Sequence, residues 1–520
     1  MPTDDKKQWT IMVYMAGDND LNEDMVKRLI EMRSIFDKPA NRIRTQKIGL
    51  CAYFDGDNPM IVTKQFNFTK GISGFSSGNL SRGNNSANPL TIKEFVSWCV
   101  NIQGVTAENY ALFLSGHGDG FQQTSFLKDT GSSEFMTIKG LKKILGEINA
   151  EILHSQKLNL LGFDSCVMNT IEVANEFKDV AELIVGSQGY LPTTGWSYEN
   201  IVNNLISLDS QSKIGKEDIA AAVVSAATES NKQYSELTKR SLDMSVYEPS
   251  ETKFAAVLTA IDDLAQTLQN AIKSQPNPEL ESIKRKPVKK VLLAAHWKCQ
   301  GFLFDQSVDI IDFCENLRAE CFGTMFQIGT TLKYAGIELI DVTLDGNENI
   351  SEVDIFSDIS VEDKEKYTDV LETLETLKEI ARVSLVLSKK VDDCILKCCF
   401  SGPDFQFSNG LSLFFPWSKT TLDMVKPKMD DLNFKSSKWL EFLKDYLVET
   451  CRPTRQLILE NKMTLLGYKL LADKSMFAEF AGRVMVNPPP KGLVDANSQY
   501  KDYFMRTKNF SLEDVNFCPK

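Results

Sequence analysis

Long apolar runs, an excess of basic residues and C-x-x-C cysteine pairs are all missing from this sequence of 520 residues. No stretch reaches the roughly 18–20 uninterrupted apolar residues of a membrane-spanning helix, so we predict no membrane segment. The net charge of −12 argues against a nucleic-acid-binding protein, because such proteins present a basic face to phosphates. The eleven cysteines are scattered along the chain, which is not the pattern of a disulfide framework.

Signals for export and for metal binding are also missing. The start, MPTDDKKQW, carries acids where a signal peptide needs a basic region, so we predict a cytoplasmic protein. Cys394, Cys398 and Cys399 lack paired C-x-x-C spacing and a nearby histidine, which argues against a zinc site. The acid-rich stretches DGDN and DGNEN do not match a calcium-binding loop. We therefore predict no metal site.

The first half of the chain alternates short apolar segments with amphipathic ones, which is typical of an α/β domain with a largely parallel sheet. The predicted strands are 9–17, 47–55, 109–116, 157–164 and 181–188. The predicted helices are 22–36, 91–103, 137–150 and 168–179. Thr91, in a capping box with Glu94, and Thr137 are the predicted N-caps. Residues 73–89, rich in Ser, Gly and Asn, are predicted to form an irregular surface loop.

The pattern changes along the chain and predicts three parts. Residues 1–250 form the α/β domain. Residues 251–450 form a largely helical subdomain, with long helices at 253–274 and 362–390 and one further strand at 410–417. Residues 451–520 form an accessory tail, in which NPPPKG interrupts any regular element.

Two reactive side chains follow two of the predicted strands. His117 stands in LSGHG, and Cys166 stands in LGFDSC. Because catalytic groups gather at the carboxyl ends of parallel strands, we expect the two side chains to lie close together. Gly116 and Gly118 let the backbone turn sharply and leave the Gly118 N–H open to a substrate carbonyl. The pattern favours a cysteine nucleophile, a histidine acid–base group and an oxyanion hole.

The alternative interpretation is structural. A cysteine after an apolar strand is often a core residue, and a lone histidine is often a buried polar group with its hydrogen bonds satisfied. We interpret the other two histidines, His154 and His296, as structural, since neither stands in such a setting.

Several segments together resemble the clostripain family of caspase-like cysteine peptidases. They are WTIMVYMAGDNDLN, LFLSGHGDG, LLGFDSCVMNTIEVANEF, VGSQGYLPTTGWSYENIVNNL, GLSLFFP and KWLEFLKDYL, spread over roughly residues 9–450. The resemblance implies an α-β-α sandwich around a mostly parallel central sheet. It also implies a thiol endopeptidase with His117 and Cys166 as catalytic dyad, and with the backbone N–H groups of Gly118 and Cys166 as oxyanion hole.

The resemblance further implies a pocket for Arg or Lys before the scissile bond. Asp164 matches one acid of that pocket; the alternative is that Asp164 or Ser165 caps the following helix. A second acid is expected in the loop YLPTTGW, where Thr193 and Thr194 stand instead, so strict basic specificity stays open. The predicted walls of the pocket are Gln188, Gly189 and Tyr190, whereas Trp196 is interpreted as core.

Relatives in this family are often activated by self-cleavage between the histidine and the cysteine. Lys128–Asp129, in the polar stretch 120–135, is the predicted cleavage bond, and an uncut surface loop is the alternative. The resemblance also leaves calcium open as a cofactor, although we identify no site and predict none.

We therefore predict a cysteine endopeptidase that acts on a protein or peptide substrate and binds neither nucleic acid nor membrane. Since a secreted, digestive role is common in the family, the missing export signal predicts a regulatory intracellular protease whose C-terminal region binds a partner. The alternatives are a catalytically silent pseudo-peptidase that serves as a binding module, and hydrolysis or acyl transfer on a non-peptide substrate through the same thiol.

Overall fold

The structure is a computed structural model that describes residues 6–451, apart from 38–46, 57–62, 71, 76–84, 209, 239, 274–277, 304–305, 335, 345–349, 357–358 and 403. The predicted tail therefore lies outside the described residues, except for its first position. The centre of the molecule is a nine-stranded sheet with helices packed around it, which confirms the predicted mixed α/β fold with a mostly parallel sheet.

Five parallel strands form the middle of this sheet: β1 (Lys7–Gly17), β2 (Ile48–Gly56), β5 (Ala107–Ser115), β6 (Leu158–Asp164) and β7 (Ala181–Gly186). Their spatial order is β2-β1-β5-β6-β7. Antiparallel strands extend the two edges: β3 (Lys64–Asn67) and β4 (Ile72–Phe75) beyond β2, and β8 (Leu242–Tyr247) and β13 (Ile395–Ser401) beyond β7. All seven residues of β6 are buried, as expected for a strand covered on both faces.

Helices of the first half are α1 (Asn22–Asp37), α2 (Pro89–Ser97), α3 (Ile138–Glu151), α4 (Ile171–Phe177), α5 (Tyr198–Leu208) and α6 (Lys216–Thr238). Those of the second half are α7 (Glu251–Ile272), α8 (Pro278–Lys298), α9 (Ile310–Tyr334), α10 (Val361–Lys366), α11 (Thr368–Asp392), α12 (Lys419–Met429) and α13 (Lys438–Cys451). Two small sheets complete the description, one of β9 (Gly301–Phe302), β10 (Ser307–Asp309) and β14 (Ser412–Phe414), the other of β11 (Ile340–Leu344) and β12 (Ile350–Ile355).

The five predicted strands agree with the structure to within about two residues, but one of the two predicted N-caps is wrong. Helix α2 begins at Pro89 with Asn88 as its N-cap, whose side chain accepts from the N–H of Leu90, so Thr91 lies inside the helix. Proline suits that first position because it has no N–H to satisfy. The predicted cap Thr137 is confirmed, since its side chain accepts from the N–H of Gly140.

The helix that follows the predicted nucleophile starts later than expected. Helix α4 begins at Ile171, and its N-cap is Thr170, whose side chain accepts from the N–H of Val173. Asp164 and Ser165 are therefore too far upstream to cap it, and that alternative is wrong. The intervening residues form a turn at the end of β6 rather than the first turn of a helix.

The second half contributes more strands than the sequence predicted. β13 joins the main sheet beside β8, so the boundary at residue 250 does not separate two sheets. The strand predicted at 410–417 is shorter, as β14, and it pairs with β10 outside the main sheet. The predicted helix 362–390 is two helices, α10 and α11. Residues 73–75 belong to β4 rather than to the predicted surface loop, most of whose remainder lies outside the described residues.

Candidate active site

The loops that carry His117 and Cys166 leave two neighbouring strands at the same edge of the sheet. β5 and β6 pair in parallel with Ser115 opposite Asp164, and the Gly116 N–H donates to the Asp164 carbonyl at 3.2 Å. Each reactive residue stands two positions beyond the end of its strand. The topology therefore brings together two residues that are far apart in the sequence, as expected from their strand ends.

Gly118 is the point at which the two loops touch. A Cβ atom built on Gly118 would lie 2.5 Å from the Cys166 carbonyl oxygen and 2.8 Å from the Cys166 nitrogen. A side chain at this position would collide with backbone, which no rotamer change can relieve. The glycine is therefore required for the loop after β5 to lie against the Cys166 peptide.

Cys166 is buried under the loop that follows β7. Its side chain is fully buried, and the Leu191 N–H donates to Sγ at 3.3 Å. The next residue, Val167, has a φ of +59°, and its N–H donates to the Gly189 carbonyl at 2.9 Å. A β-branched residue in the left-handed region is strained by roughly 1–3 kcal/mol, and such strain concentrates at functional sites. The sequence shows no signal for this strained turn.

His117 is held from two sides. Its Nε2 lies 2.6 Å from Oδ1 of Asp20, and its side chain is only 8% exposed. Its carbonyl oxygen accepts from the Leu127 N–H at 3.0 Å. Asp20 was not among the predicted site residues. The signal that could have found it is its place just after β1, at the same sheet edge as the other two residues, in the motif MAGDNDLN.

Asp164 is a structural anchor for the loop YLPTTGW. Its carboxylate is buried and accepts hydrogen bonds from Ser115 Oγ at 2.7 Å, from the Trp196 N–H at 2.9 Å and from Tyr198 OH at 3.1 Å. The carboxylate therefore lies at the base of this loop with both oxygens engaged. Trp196 is buried, in agreement with its interpretation as core.

Gln188, predicted as a pocket wall, has a buried side chain that ties several segments together. Its Nε2 donates to Asp309 Oδ2 at 2.9 Å, and its Oε1 accepts from the Gly410 N–H at 2.8 Å. The backbone N–H groups of Gln188 and Gly189 both donate to the Asp243 carboxylate at 2.8 Å. Burial raises the pKa of Asp243 to about 7 and also raises the pKa of Asp309. Sequence reasoning missed both acids, which come from distant segments.

The remaining predicted pocket residues lie on the same loop. Tyr190, Thr193 and Thr194 are half-buried. The Thr194 carbonyl accepts from Arg28 Nε at 2.8 Å, and the same guanidinium pairs with Glu31 at 2.7 Å. The loop YLPTTGW, which lacks the second acid, is therefore held against α1 by the hydrogen bond from the Arg28 side chain to the Thr194 carbonyl.

The predicted cleavage bond Lys128–Asp129 lies in a hydrogen-bonded turn. The Lys128 side chain is exposed, but its carbonyl accepts from Asn19 Nδ2 at 2.8 Å. Asp129 is buried, pairs with Glu134 through both backbone groups, and accepts from the Ser86 N–H at 2.8 Å.

The stretch 120–135 also differs from the expected polar surface loop. Its apolar members Phe121, Phe126 and Leu127 are fully buried. These three side chains anchor the stretch in the core, and the Leu127 N–H joins it to the His117 carbonyl.

The other two histidines have no place in this site. His296 is buried between the rings of Phe415 and Trp417, with centroids 3.6 and 3.7 Å away. His154 is exposed in a turn. Among the described residues, no group of three or more His, Cys, Asp or Glu side chains could hold a metal ion. In the described part of the chain, every helix falls short of the length and apolar character that a membrane crossing requires.

A family model and a known protein match this sequence. Residues 13–446 match the model of the Clostripain family. Clostripain from Hathewaya histolytica is 22% identical over 229 residues, which are 38% of this chain and 42% of that protein, so the chain matches less than half of that relative's length.

Two solved structures share the fold. An X-ray structure of a secreted C11 cysteine protease from Bacteroides thetaiotaomicron, in complex with an irreversible peptide inhibitor, superposes with a TM-score of 0.51 at 14% identity, covering 83% of this chain and 98% of that one. The structure of the secreted C11 protease iotapain from the same organism gives a TM-score of 0.50 at 12% identity, covering 83% and 99%. At these identities the likeness shows the fold alone.

Proposed function

The chain belongs to the clostripain family, and from that premise we propose that it is a cysteine endopeptidase with Cys166 as nucleophile and His117 as acid–base group. The observation that carries the proposal is the contact of the two loops. Gly118 lies against the Cys166 peptide, so histidine and cysteine leave adjacent strands into one site.

The reaction follows from the chemistry of the two side chains. The Cys166 thiolate attacks the scissile carbonyl carbon, and the imidazolium of His117 gives its proton to the leaving amine as the C–N bond breaks. The acyl group then stays on sulfur as a thioester. A water molecule attacks this thioester while His117 takes its proton, and the thiolate leaves with the acid product released.

Developing charge on the carbonyl oxygen needs donors that are already in place. The backbone N–H groups of Gly118 and Cys166 are our choice, because these two peptides lie in contact at the end of β6. Since the Cys166 side chain is fully buried and accepts from Leu191, the loop after β7 has to move before a peptide carbonyl can reach Sγ.

Cleavage after Arg or Lys is the specificity we propose to test. Supporting it, Asp164 lies at the end of β6, two positions before Cys166, and a negative charge there attracts a cationic side chain. Asp164 has both oxygens engaged by the protein, and Thr193 and Thr194 supply no second carboxylate. We therefore expect a preference for basic residues weaker than a pocket with two free acids would give.

We further propose that the chain cleaves itself, lies in the cytoplasm and binds a regulatory partner, and we test calcium as an activator. Cutting at Lys128–Asp129 requires the turn to open, because both residues are fixed through their backbone. The same turn carries Leu127, whose N–H holds the His117 carbonyl, so a cut there would reach the catalytic loop directly.

One experiment tests the proposed function. The purified chain is incubated, with and without calcium, against quenched peptides that vary the residue before the cut, with Cys166→Ala as the matched control. We expect cleavage by the wild type, strongest after Arg or Lys, and none by the variant. Cleavage that persists in Cys166→Ala would contradict the assigned nucleophile. A folded wild type that cuts nothing under either condition would favour a silent binding module.

A further inference from the structure

We propose that Asp20 is a positioning residue for His117, which keeps the imidazole oriented and its protonated form stabilised while Cys166 reacts. This inference rests on the proposed function and extends it from two residues to three. Asp20 Oδ1 lies 2.6 Å from His117 Nε2, within the range of a charge-assisted hydrogen bond.

The topology places the three residues in the order that such a chain of contacts needs. β1, β5 and β6 are consecutive neighbours in the sheet, with Met15 opposite Ser115 and Ser115 opposite Asp164. Asp20 follows β1, His117 follows β5 and Cys166 follows β6. Parallel strands end at one edge, so histidine lies between acid and thiol.

The turn that carries Asp20 is held in a defined conformation. The Asn19 side chain donates to the Ala16 carbonyl at 2.9 Å and to the Lys128 carbonyl at 2.8 Å, and it accepts from the Leu21 N–H at 3.0 Å. The Thr130 N–H donates to the Asp18 carbonyl at 2.7 Å. Because the turn is already fixed, bringing the Asp20 carboxylate to the His117 ring costs little backbone conformational entropy.

Two other carboxylates near the histidine loop accept hydrogen bonds from backbone N–H groups. Asp119 accepts from the N–H groups of Thr124 and Ser125. Asp129 accepts from the N–H groups of Ser86 and Ser132. Asp20 supplies the carboxylate that contacts the His117 ring.

The contact also assigns the two ring nitrogens. With Nε2 facing Asp20, we assign to Nδ1 the proton exchange with the thiol and the leaving amine. Asp20 keeps its negative charge throughout and passes no proton. Its side chain is 63% exposed, so water weakens the pair in the free protein, and a bound peptide that excludes water strengthens it.

The kinetic test compares Asp20→Asn, Asp20→Glu and the control Asp24→Asn. Asp24 lies on α1 nearby and pairs with Lys27, so its variant removes a neighbouring charge away from the histidine. We expect Asp20→Asn to lower kcat at least about tenfold with little change in KM, a part of the roughly 10²–10⁴-fold contribution of acid–base catalysis. The alkaline limb of its pH profile should move to lower pH. Asp20→Glu should recover part of the rate, and Asp24→Asn should match the wild type.

A second measurement separates this inference from the proposed function. The chain has three histidines, so NMR of the histidine-labelled protein can follow each ring, with His117→Gln as the assignment variant. We expect Asp20→Asn to move the ionisation of His117 to lower pH and to leave His154 and His296 unchanged. That shift in a protein without peptidase activity would support the pairing and reject only the proposed function. An unchanged His117 titration, or an unchanged rate in an active protein, would overturn the inference.

Discussion

Replacing Gly118 with alanine tests whether contact between two loops assembles the site. The new Cβ would lie 2.5 Å from the Cys166 carbonyl oxygen and 2.8 Å from both the Cys166 nitrogen and the Ser165 Cβ. These neighbours are backbone atoms and the first side-chain carbon, so no flexible side chain can swing away. To restore ordinary van der Waals contact, which begins at 3.4 Å, the loops must separate by about 0.9 Å.

That displacement sets the expected size of the effect. A shift of about 1 Å in a catalytic group costs on the order of 100-fold in rate, whereas overpacking of this kind destabilises a fold by about 1–3 kcal/mol. We therefore expect Gly118→Ala to lower kcat/KM by about 100-fold in a protein that still folds. The measurement is cleavage of the best quenched peptide, together with thermal unfolding of the same sample.

Gly146 supplies the matched control. It lies inside α3, and a Cβ built on it meets no atom within 4 Å. Gly146→Ala should therefore stabilise the protein by about 0.5–1 kcal/mol through helix propensity and leave cleavage unchanged. If Gly118→Ala unfolds near the wild-type temperature and keeps more than about half of the wild-type kcat/KM, the loop contact does not assemble the site, and our account of Gly118 is wrong.

Two further predictions concern stability. Thr137→Ala removes the acceptor for the Gly140 N–H at the start of α3 and should lower the free energy of unfolding by about 1 kcal/mol, measured by urea denaturation; no loss would argue against the cap. Asp243 has its pKa raised by burial from 3.8 to about 7, so the folded state holds this proton more tightly than the unfolded state does. Its contribution to the free energy of unfolding should therefore fall by about 2–3 kcal/mol between pH 5 and pH 8. Asp243→Asn should flatten the pH dependence by that amount, and an unchanged slope would contradict the raised pKa.

Local patterns in the sequence determined the framework of the molecule. Most residues of the five parallel strands are buried, and the strands stand out as short apolar runs between turn residues. Their carboxyl ends then indicated His117 and Cys166 as neighbours. β13 was missed because an edge strand with many exposed residues carries no such run.

Tertiary structure alone decided what surrounds those two side chains. Asp20 reaches His117 across 97 positions, and Gln188 reaches Asp309 across 121, contacts that leave no mark on local periodicity. Asp164 was correctly located at the end of β6 by sequence, yet its engagement by three donors depends on a loop that returns over it. The sequence by itself determined where strands end and which reactive residues follow them, because a buried strand requires a run of neighbouring apolar residues. Which charges meet at those ends depended on the packing of distant segments, for which neighbouring residues carry no pattern.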